Sequence, residues 1–441
     1  MSPELTSSLL ILFFLFGFML AGFWIFAGVL LTALATFYFV LDFSPARIGF
    51  IVQPVLQKTL TSYDLAALPM FVWMAEILFR SKISDEIFAG LAPWLSRVPG
   101  RLLHVNVLAC GLFGSVSGSS AATCATIARI ALPELHRRGY DERVSVGSLA
   151  GAATLGILIP PSITMVIYSL AAEVSLIRLF LAGFIPGAIV MALYSGYIAA
   201  WAVANPGRMP PAERPTTLME KIAASRNLIP TVLLISGLFV VMLMGWVSPS
   251  ECAAAGVAGS LIIAAWSRSL SLRMLRDSIT GALMLTCMIL LIIAASALFS
   301  AALAYTGLPM RMAAWVSDLG LSTTMLIAVL LVFYIILGTA IDGVSLIVLT
   351  MPVVLPIVSA AGIDLIWFGI FMILVIEMAE VSPPVGFNLF VLQTMTGRSS
   401  AFVTRATVPF FLLLVAAVAI ITAAPSTVSL LPDWVFRAPA P

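Results

Sequence analysis

The sequence predicts an all-α polytopic membrane protein. Of its 441 residues, 61% are hydrophobic and only 10% are charged, whereas a soluble domain carries roughly 25% charged residues. Apolar runs longer than about 18 residues recur along the chain, and each is long enough to span a bilayer as a helix. The formal net charge is +2, and no basic cluster indicates a nucleic-acid partner. The partner that this composition requires is the lipid bilayer.

Most apolar segments are predicted to cross the membrane once; they are 63–80, 144–172, 176–203, 228–247, 251–267, 279–304, 365–395 and 406–424. Two others, 104–133 and 321–358, contain Gly, Ser or Asp near mid-depth. We expect these two to be re-entrant hairpins, which enter the bilayer and return on the same side. The first stretch, 7–41, exceeds one untilted span at about 1.5 Å per residue and has room for two short helices.

The distribution of Lys and Arg supports this topology, because cytoplasmic loops carry an excess of both. If both hairpins re-enter, one side of the membrane receives most of the 22 Lys and Arg residues, in the stretches 80–101, 137–143, 208–226, 268–276 and 398–405. That side is predicted to be cytoplasmic. Hairpin one then opens to the cytoplasm and hairpin two to the outside.

The two halves of the chain repeat each other at a constant offset in the numbering, which we call the repeat offset. The pairs that it relates are Pro133 and Pro356, Gly139 and Gly362, Asp141 and Asp364, Pro160 and Pro383, and Pro161 and Pro384. Proline and glycine are the residues that interrupt regular structure. Because the charge bias places the copies in opposite orientations, we predict an inverted repeat, an architecture of many secondary transporters.

These observations divide the chain as follows: N-terminal scaffold helices 1–60; a first inverted repeat 61–203 with hairpin one (104–133) and a broken helix (144–172); a cytoplasmic linker 204–227; central scaffold helices 228–278; a second inverted repeat 279–395 with hairpin two (321–358) and a broken helix (365–395); and a C-terminal helix and tail 396–441.

The paired prolines should break both long helices inside the bilayer. A proline within a helix lacks an N–H and clashes with the carbonyl four residues earlier, at a cost of about 3 kcal/mol. The pairs should therefore free the carbonyls of Gly156 and Ile157 in one copy and of Ala379 and Glu380 in the other. Free carbonyls at membrane depth are tolerated only where they face protein or a wet cavity. The alternative for a single pair is a simple kink.

The hairpin tips, 114–120 and 338–343, are rich in Gly, Ser and Thr, and the second contains Asp342. Hydroxyls, carbonyls and carboxylates are the oxygen ligands that hard cations prefer. A carboxylate in an apolar segment marks a functional site by default. Glu380, next to the second proline pair, is suited to bind a cation or to relay a proton. The structural alternatives are small-residue helix packing and a carboxylate hydrogen-bonded to the hairpin backbone.

Several long motifs resemble the large membrane subunit of tripartite ATP-independent periplasmic (TRAP) transporters, over nearly the whole chain. They include SGSSAAT at 117–123, GILIPPS at 156–162, LAGFIPG at 181–187 and SPPVGFNLF at 382–390. The resemblance implies an elevator-type transporter in the bacterial inner membrane, with sodium ions bound at the hairpin tips. It also implies a small four-helix membrane subunit, a periplasmic substrate-binding protein and a solute that carries a carboxylate.

The combined hypothesis is sodium-coupled import of an organic acid, with no enzymatic activity and no cofactor besides the coupling sodium ions. The candidate sodium-binding residues are Ser115, Ser117, Gly118, Gly156, Gly338, Thr339, Asp342, Glu380 and Ser382. The candidate substrate-binding residues are Gly118, Ser119, Ser120, Pro160, Pro161, Ser162, Pro383, Pro384 and Asn388.

Three alternatives compete with this hypothesis. One is a stand-alone carboxylate carrier or antiporter of the same superfamily, coupled to sodium or to protons through Glu377 and Glu380. The second is an intramembrane serine hydrolase that uses Ser117 and His104, although no second histidine is expected near mid-depth. The third is a passive channel, which matched helix breaks do not favour.

Overall fold

The computed structural model describes residues 3–211, 217–226, 228–339, 341–383 and 386–436. Within these ranges the protein is helical and contains no β-strand. The first half comprises α1 (Pro3–Leu20), α2 (Ile25–Ala35), α3 (Pro45–Leu60), α4 (Ala67–Arg80), α5 (Ile83–Leu95), α6 (Leu102–Ser117), α7 (Ser120–Arg137), α8 (Glu142–Leu158), α9 (Ile163–Ala171) and α10 (Leu176–Ala204).

The second half comprises α11 (Leu218–Ser225), α12 (Ile229–Leu243), α13 (Pro249–Trp266), α14 (Leu272–Thr306), α15 (Leu308–Asp318), α16 (Thr323–Gly338), α17 (Gly343–Ala360), α18 (Leu365–Glu380), α19 (Phe387–Thr396), α20 (Ser400–Ala423) and α21 (Ser426–Phe436). A Ser, Thr or Asp side chain caps the N-terminus of many of these helices, which satisfies one of the free N–H groups of the first turn. Examples are Ser119, Asp141, Ser162, Asp342 and Asp364.

Five helices are long and apolar enough to cross a membrane, namely α10, α13, α14, α17 and α20. The number rises to seven if each of two bent helix pairs counts as one span. The stretch 7–41 forms α1 and α2, so its length correctly indicated two short helices, with a π-helical turn at 36–40 after α2. The predicted span 63–80 is α-helical only from Ala67, after a 3₁₀ turn.

Several predicted boundaries differ from the structure. Helix α14 runs through the expected boundary between 278 and 279, because its apolar sequence contains no proline to end it. The linker 204–227 contains the short helix α11, and the C-terminal part contains α21 as well as α20. Hairpin one is longer than predicted, because α6 starts at residue 102 and α7 ends at residue 137, whereas hairpin two is shifted by two residues, from 321–358 to 323–360.

The helix bounds follow the repeat offset found in the sequence. Shifting both ends of α7 by the repeat offset gives the bounds of α17, and shifting the start of α8 by the same amount gives the start of α18. The contacts between the copies are reciprocal: α7 packs on α19 while α17 packs on α9, and α8 packs on α20 while α18 packs on α10. Reciprocal contacts are the signature of a two-fold relation between two units.

The two halves enclose α8 and α18 at their centre. All residues from Val144 to Leu158 in α8 are buried, as are all residues from Trp367 to Ala379 in α18. A helix that is apolar and buried on every side belongs in the interior of a large protein or membrane bundle. A smaller, separate apolar cluster joins α1 and α2 to the second half of α14.

Labelling of single-cysteine variants will test whether each hairpin returns to the side it entered. Arg97→Cys and Arg137→Cys flank hairpin one, and Thr323→Cys and Ala361→Cys flank hairpin two. All four positions are exposed. Cys287, the exposed native cysteine, is first replaced by Ser. We expect an impermeant maleimide to label 323 and 361 in spheroplasts, and 97 and 137 only after permeabilisation.

The control is the background protein without added cysteines, which should stay unlabelled because its remaining cysteines are buried. A hairpin whose two flanks react from opposite sides of the membrane crosses the bilayer, and that outcome contradicts the predicted topology.

Candidate functional site

The first broken helix separates α8 from α9 at residues 159–162. The axes of the two helices differ by 46°, and Pro160 and Pro161, joined by a cis peptide bond, lie in the break. Because neither proline has an N–H, the carbonyls of Gly156 and Ile157 lack their usual donors four residues later. The side chain of Ser162 then starts α9 by accepting a hydrogen bond from the Met165 N–H.

The second broken helix ends α18 at Glu380 and starts α19 at Phe387. Its details differ from the prediction. The Ala379 carbonyl is not free, because the Ser382 N–H donates to it at 3.1 Å. The bond can form because α18 ends at Glu380, before the prolines, and a turn follows in which the Ser382 N–H reaches the carbonyl three residues earlier. Pro383 is exposed whereas Pro160 and Pro161 are buried, and Pro384 lies outside the described residues.

The tip of hairpin one is a cluster of oxygen atoms. Gly118 adopts a left-handed conformation (φ 59°) that ends α6, and Ser119 caps α7. The Ser117 and Thr123 hydroxyl oxygens lie 2.7 Å apart. Thr123 donates to the Ser119 carbonyl at 2.8 Å, which the Ser117 hydroxyl also reaches at 3.2 Å. Hydroxyl hydrogens can rotate, so the Ser117 and Thr123 hydroxyls are able to turn lone pairs toward a cation that the Ser119 carbonyl oxygen also contacts.

This tip packs directly against the first broken helix. A Cβ atom on Gly156 would lie 2.8 Å from the Thr123 hydroxyl and 3.0 Å from the Ser119 carbonyl. A Cβ atom on Gly114 would lie 2.5 Å from the Gly156 Cα. Glycines therefore allow the backbones of α6 and α8 to approach each other, and this approach brings the oxygen cluster against the backbone at Gly156.

Hairpin two packs in a similar way on the second broken helix. A Cβ atom on Gly338 would lie 2.5 Å from the Cβ of Ala379, and Ala379 is the repeat counterpart of Gly156. Asp342, the counterpart of Ser119, caps α17 by accepting the Ser345 N–H at 3.1 Å. The Thr339 hydroxyl donates to the Ile336 carbonyl, and the Ser382 hydroxyl donates to the Met378 carbonyl.

A hydrogen bond links the two repeats. The Asn388 side-chain amide donates to the Ser120 hydroxyl oxygen at 2.7 Å, and the Ser120 hydroxyl lies beside the Glu380 carboxylate. The Asp342 carboxylate lies close enough to Glu380 for electrostatic repulsion between them. Two buried acceptors at this bridge, Asn388 Oδ1 and Glu380 Oε2, have no hydrogen-bond partner.

The structure thus brings together only some of the candidate residues. The first group contains Ser117, Gly118, Ser119 and Gly156, and the second contains Ser120, Asp342, Glu380 and Asn388. Gly338 supports the second tip by close packing, without contributing a side chain. The Ser115, Thr339 and Ser382 hydroxyls each donate to a backbone carbonyl three or four residues earlier, and among the described residues no hydrogen bond joins these hydroxyls to either group.

Sequence reasoning did not select Thr123 as a candidate, although it belongs to the first oxygen cluster. Its position four residues after the cap Ser119, on the first turn of α7, was a usable signal because residues four apart share a helix face. The connection of Glu380 to Ser120 was not predictable in this way, since it joins residues from different halves of the chain.

A cavity of about 530 Å³ lies between α3, α9, α14 and α17, within the usual size of small-molecule pockets. Its lining includes Lys58, Glu173, Ser296 and Ser300, among apolar residues such as Met351. The predicted topology places Lys58 and Glu173 on the outer side of the membrane. The cavity is therefore a candidate approach to the region of hairpin two for a solute from outside.

A multi-pass helical protein built from two repeats, each with a broken helix and a helical hairpin, has the architecture of many secondary transporters. The family model described as "Tripartite ATP-independent periplasmic transporter, DctM component" matches residues 12–427. The chain therefore belongs to this TRAP transporter family, as the motifs indicated. Membership confirms a multi-pass protein of the bacterial inner membrane that is not an enzyme. It also implies transport together with a small membrane subunit and a periplasmic binding protein.

Relatives and a solved structure agree with this assignment. The chain is 32% identical to the C4-dicarboxylate TRAP transporter large permease protein DctM of Pseudomonas aeruginosa, over 86% of this chain and 88% of the relative. It is 31% identical to the sialic acid TRAP transporter permease protein SiaT of Haemophilus influenzae, over 86% of this chain and 61% of SiaT. The YdaH transporter of Alcanivorax borkumensis shares the fold, with a TM-score of 0.65 at 13% identity over 89% of this chain and 90% of YdaH.

The Gly114→Ala variant will test whether close packing of α6 on α8 positions the first tip. The added methyl group would meet the Gly156 backbone at 2.5 Å, and a backbone cannot rotate away as a side chain can. We expect the free energy of unfolding to fall by about 1–3 kcal/mol, as for other overpacked cores, and the thermal midpoint of the purified protein to fall with it.

The matched control is Gly196→Ala in α10, where an added Cβ meets no atom within 4 Å. Alanine is a better helix former than glycine, so this variant should be at least as stable as the parent. Equal stability of the two variants would show that the glycine contact does not hold the tip in place.

Proposed function

We propose that this chain imports a carboxylate-bearing organic solute in symport with sodium ions, after a periplasmic binding protein has delivered the solute. The observation that carries the proposal is the bridge of Asn388, Ser120 and Glu380 beside Asp342. It holds two carboxylates and two buried acceptor oxygens without partners. Each unsatisfied buried acceptor costs about 1–3 kcal/mol, and a bound cation relieves that cost.

The proposal includes two sodium positions. One would use the oxygen cluster of Ser117, Ser119 and Thr123 with the freed carbonyl of Gly156. The other would use Glu380, Asp342 and the Asn388 side-chain oxygen. Both sets consist of hydroxyl, carbonyl and carboxylate oxygens, the ligands that hard cations prefer. The difference in charge between the sets predicts that the second position binds its ion more tightly.

The solute would lie between the two tips, near Gly118, Ser120, Ser162 and Asn388. Helix N-termini carry partial positive charge and free N–H groups, and these groups attract anions. The N-termini of α7 and α9 meet where Gly118 packs against Ile163, and those of α7 and α19 meet at the bond from Asn388 to Ser120. The names of the two relatives, for C4-dicarboxylates and sialic acid, support a carboxylate substrate.

An elevator motion is the mechanism we propose for translocation. The hairpins and broken helices share reciprocal contacts and the hydrogen-bonded bridge, which favours their movement as one body against the scaffold helices. The small four-helix membrane subunit would brace that scaffold. The cavity lined by Lys58 and Glu173 would admit the solute from the periplasmic side.

Transport by the complete tripartite complex in liposomes will test the coupling. With the binding protein and solute outside, an inward sodium gradient should drive uptake against the solute gradient. A pH gradient without sodium should not drive it, because the proposed ligands hold a metal cation. Uptake that follows pH and ignores sodium would refute sodium coupling. Uptake at the same rate without the binding protein would favour the stand-alone carrier instead.

The Asp342→Asn variant separates charge from helix capping, because Asn caps a helix about as well as Asp. We expect the sodium concentration for half-maximal uptake to rise by about tenfold or more, since one carboxylate of the second position is lost and about 1.4 kcal/mol corresponds to tenfold. Asp364→Asn is the matched control, because Asp364 caps α18 in the same way at 2.8 Å from the Trp367 N–H. An unchanged sodium dependence in Asp342→Asn would make Asp342 a structural cap.

A further inference from the structure

A second polar cluster lies apart from the hairpin tips, where α8, α10 and α18 meet. It consists of Thr154, Tyr194 and Glu377, and the exposed fraction of each is 0%. Thr154 and Glu377 are counterparts at the repeat offset, and the Thr154 hydroxyl lies beside the Glu377 carboxylate. Equivalent residues that meet each other lie on the two-fold axis that relates the repeats.

The hydrogen bonds of this cluster are incomplete when Glu377 is ionised. Both Glu377 oxygens and the Tyr194 hydroxyl lack a partner. The Thr154 hydroxyl lies beside both side chains, but its hydrogen goes to the Gly151 carbonyl at 2.7 Å. A threonine hydroxyl has one hydrogen to donate and two lone pairs that accept. While its hydrogen lies on the Gly151 carbonyl, Thr154 can bond to Glu377 only by accepting, which requires Glu377 to carry a proton.

The charges around Glu377 also favour its protonated, neutral form. The titratable groups that face Glu377 are Glu380 on its own helix and Tyr194 on α10. Among the residues that the structure describes, no ion pair reaches it. An isolated carboxylate without partners in an apolar interior is so costly that it neutralises.

We propose that Glu377 is a proton-binding site, separate from the sodium positions. A proton taken from water binds one carboxylate oxygen, and the resulting O–H donates to the Thr154 oxygen. The Tyr194 hydroxyl donates to the second lone pair of the same oxygen, so one threonine completes both bonds. The neutral acid joins α18 to α8 and α10 at the axis of the repeat and keeps this part of the core uncharged. The inference does not depend on sodium coupling.

Infrared spectroscopy of the purified chain at neutral pH provides the first test. The C=O stretch of a protonated carboxylic acid is separate from that of a carboxylate. We expect this band in the parent protein, with a shift in deuterium oxide, and its loss in Glu377→Gln. The matched control is Glu380→Gln, which should retain the band from Glu377. Thr154→Val should keep the band but shift it, because valine cannot accept the hydrogen bond.

Two results would overturn the proposal. One is a Glu377→Gln spectrum identical to that of the parent, which would show that Glu377 is ionised. The other is loss of the parent's band when sodium chloride replaces potassium chloride, which would show a metal cation in place of the proton.

Thermal unfolding as a function of pH gives an independent readout. Ionisation of Glu377 breaks its bond to Thr154, so the parent's midpoint should fall as the pH becomes strongly alkaline. Glu377→Gln cannot ionise, so its midpoint should fall less over the same range. Parallel curves for the two proteins would contradict the proposal. If Glu377→Gln does not fold, two other variants test the proposal by infrared spectroscopy. The protonated-acid band should shift in Thr154→Val. It should not shift in Tyr194→Phe, because that variant keeps the Thr154 oxygen as an acceptor for Glu377.

Discussion

The whole arrangement depends on one constraint: a polar group inside a bilayer must find its partner within the protein. Both central helices, α8 and α18, end beside a proline pair within an apolar helical protein, so their ends need partners from the protein itself. The hairpins meet this need because small residues let them approach the breaks, with Gly114 against Gly156 and Gly338 against Ala379. The same close approach places hydroxyl, carbonyl and carboxylate oxygens of the hairpin tips beside the helix breaks.

The two repeats share a backbone but differ in charge. Ser119 in the first corresponds to Asp342 in the second, and both cap the second helix of a hairpin. Thr154 in the first corresponds to Glu377 in the second. The duplicated fold therefore supplies two similar backbone frames, while the carboxylates of Asp342, Glu377 and Glu380 all belong to the second repeat. This division explains why the axis pairs one acid, Glu377, with one hydroxyl of its repeat counterpart, Thr154, whereas two acids at these positions would repel each other.

The sequence was sufficient for features that depend on local backbone chemistry. Pro160, Pro161 and Gly118 mark the first break and the first tip because the effects of proline and glycine act on neighbouring residues. Features that depend on tertiary contacts were beyond its reach. The Ala379 carbonyl was expected to be free, yet a turn of the chain returns the Ser382 N–H to it. The hydrogen bond between Asn388 and Ser120 joins opposite halves of the chain, and no periodicity in the sequence encodes it.

The bridge between the repeats suggests how ion binding would be coupled to movement. Glu380 lies beside Ser120 of hairpin one and within electrostatic reach of Asp342 of hairpin two, so two carboxylates face each other across the hairpins without a cation between them. A cation between the carboxylates would remove the repulsion and favour the state in which both hairpins are docked. A ligand shifts a conformational equilibrium only by its difference in affinity for the two states. A cation that contacted one hairpin alone would stabilise that hairpin and leave the other unchanged, whereas a cation at this bridge would act on both repeats together.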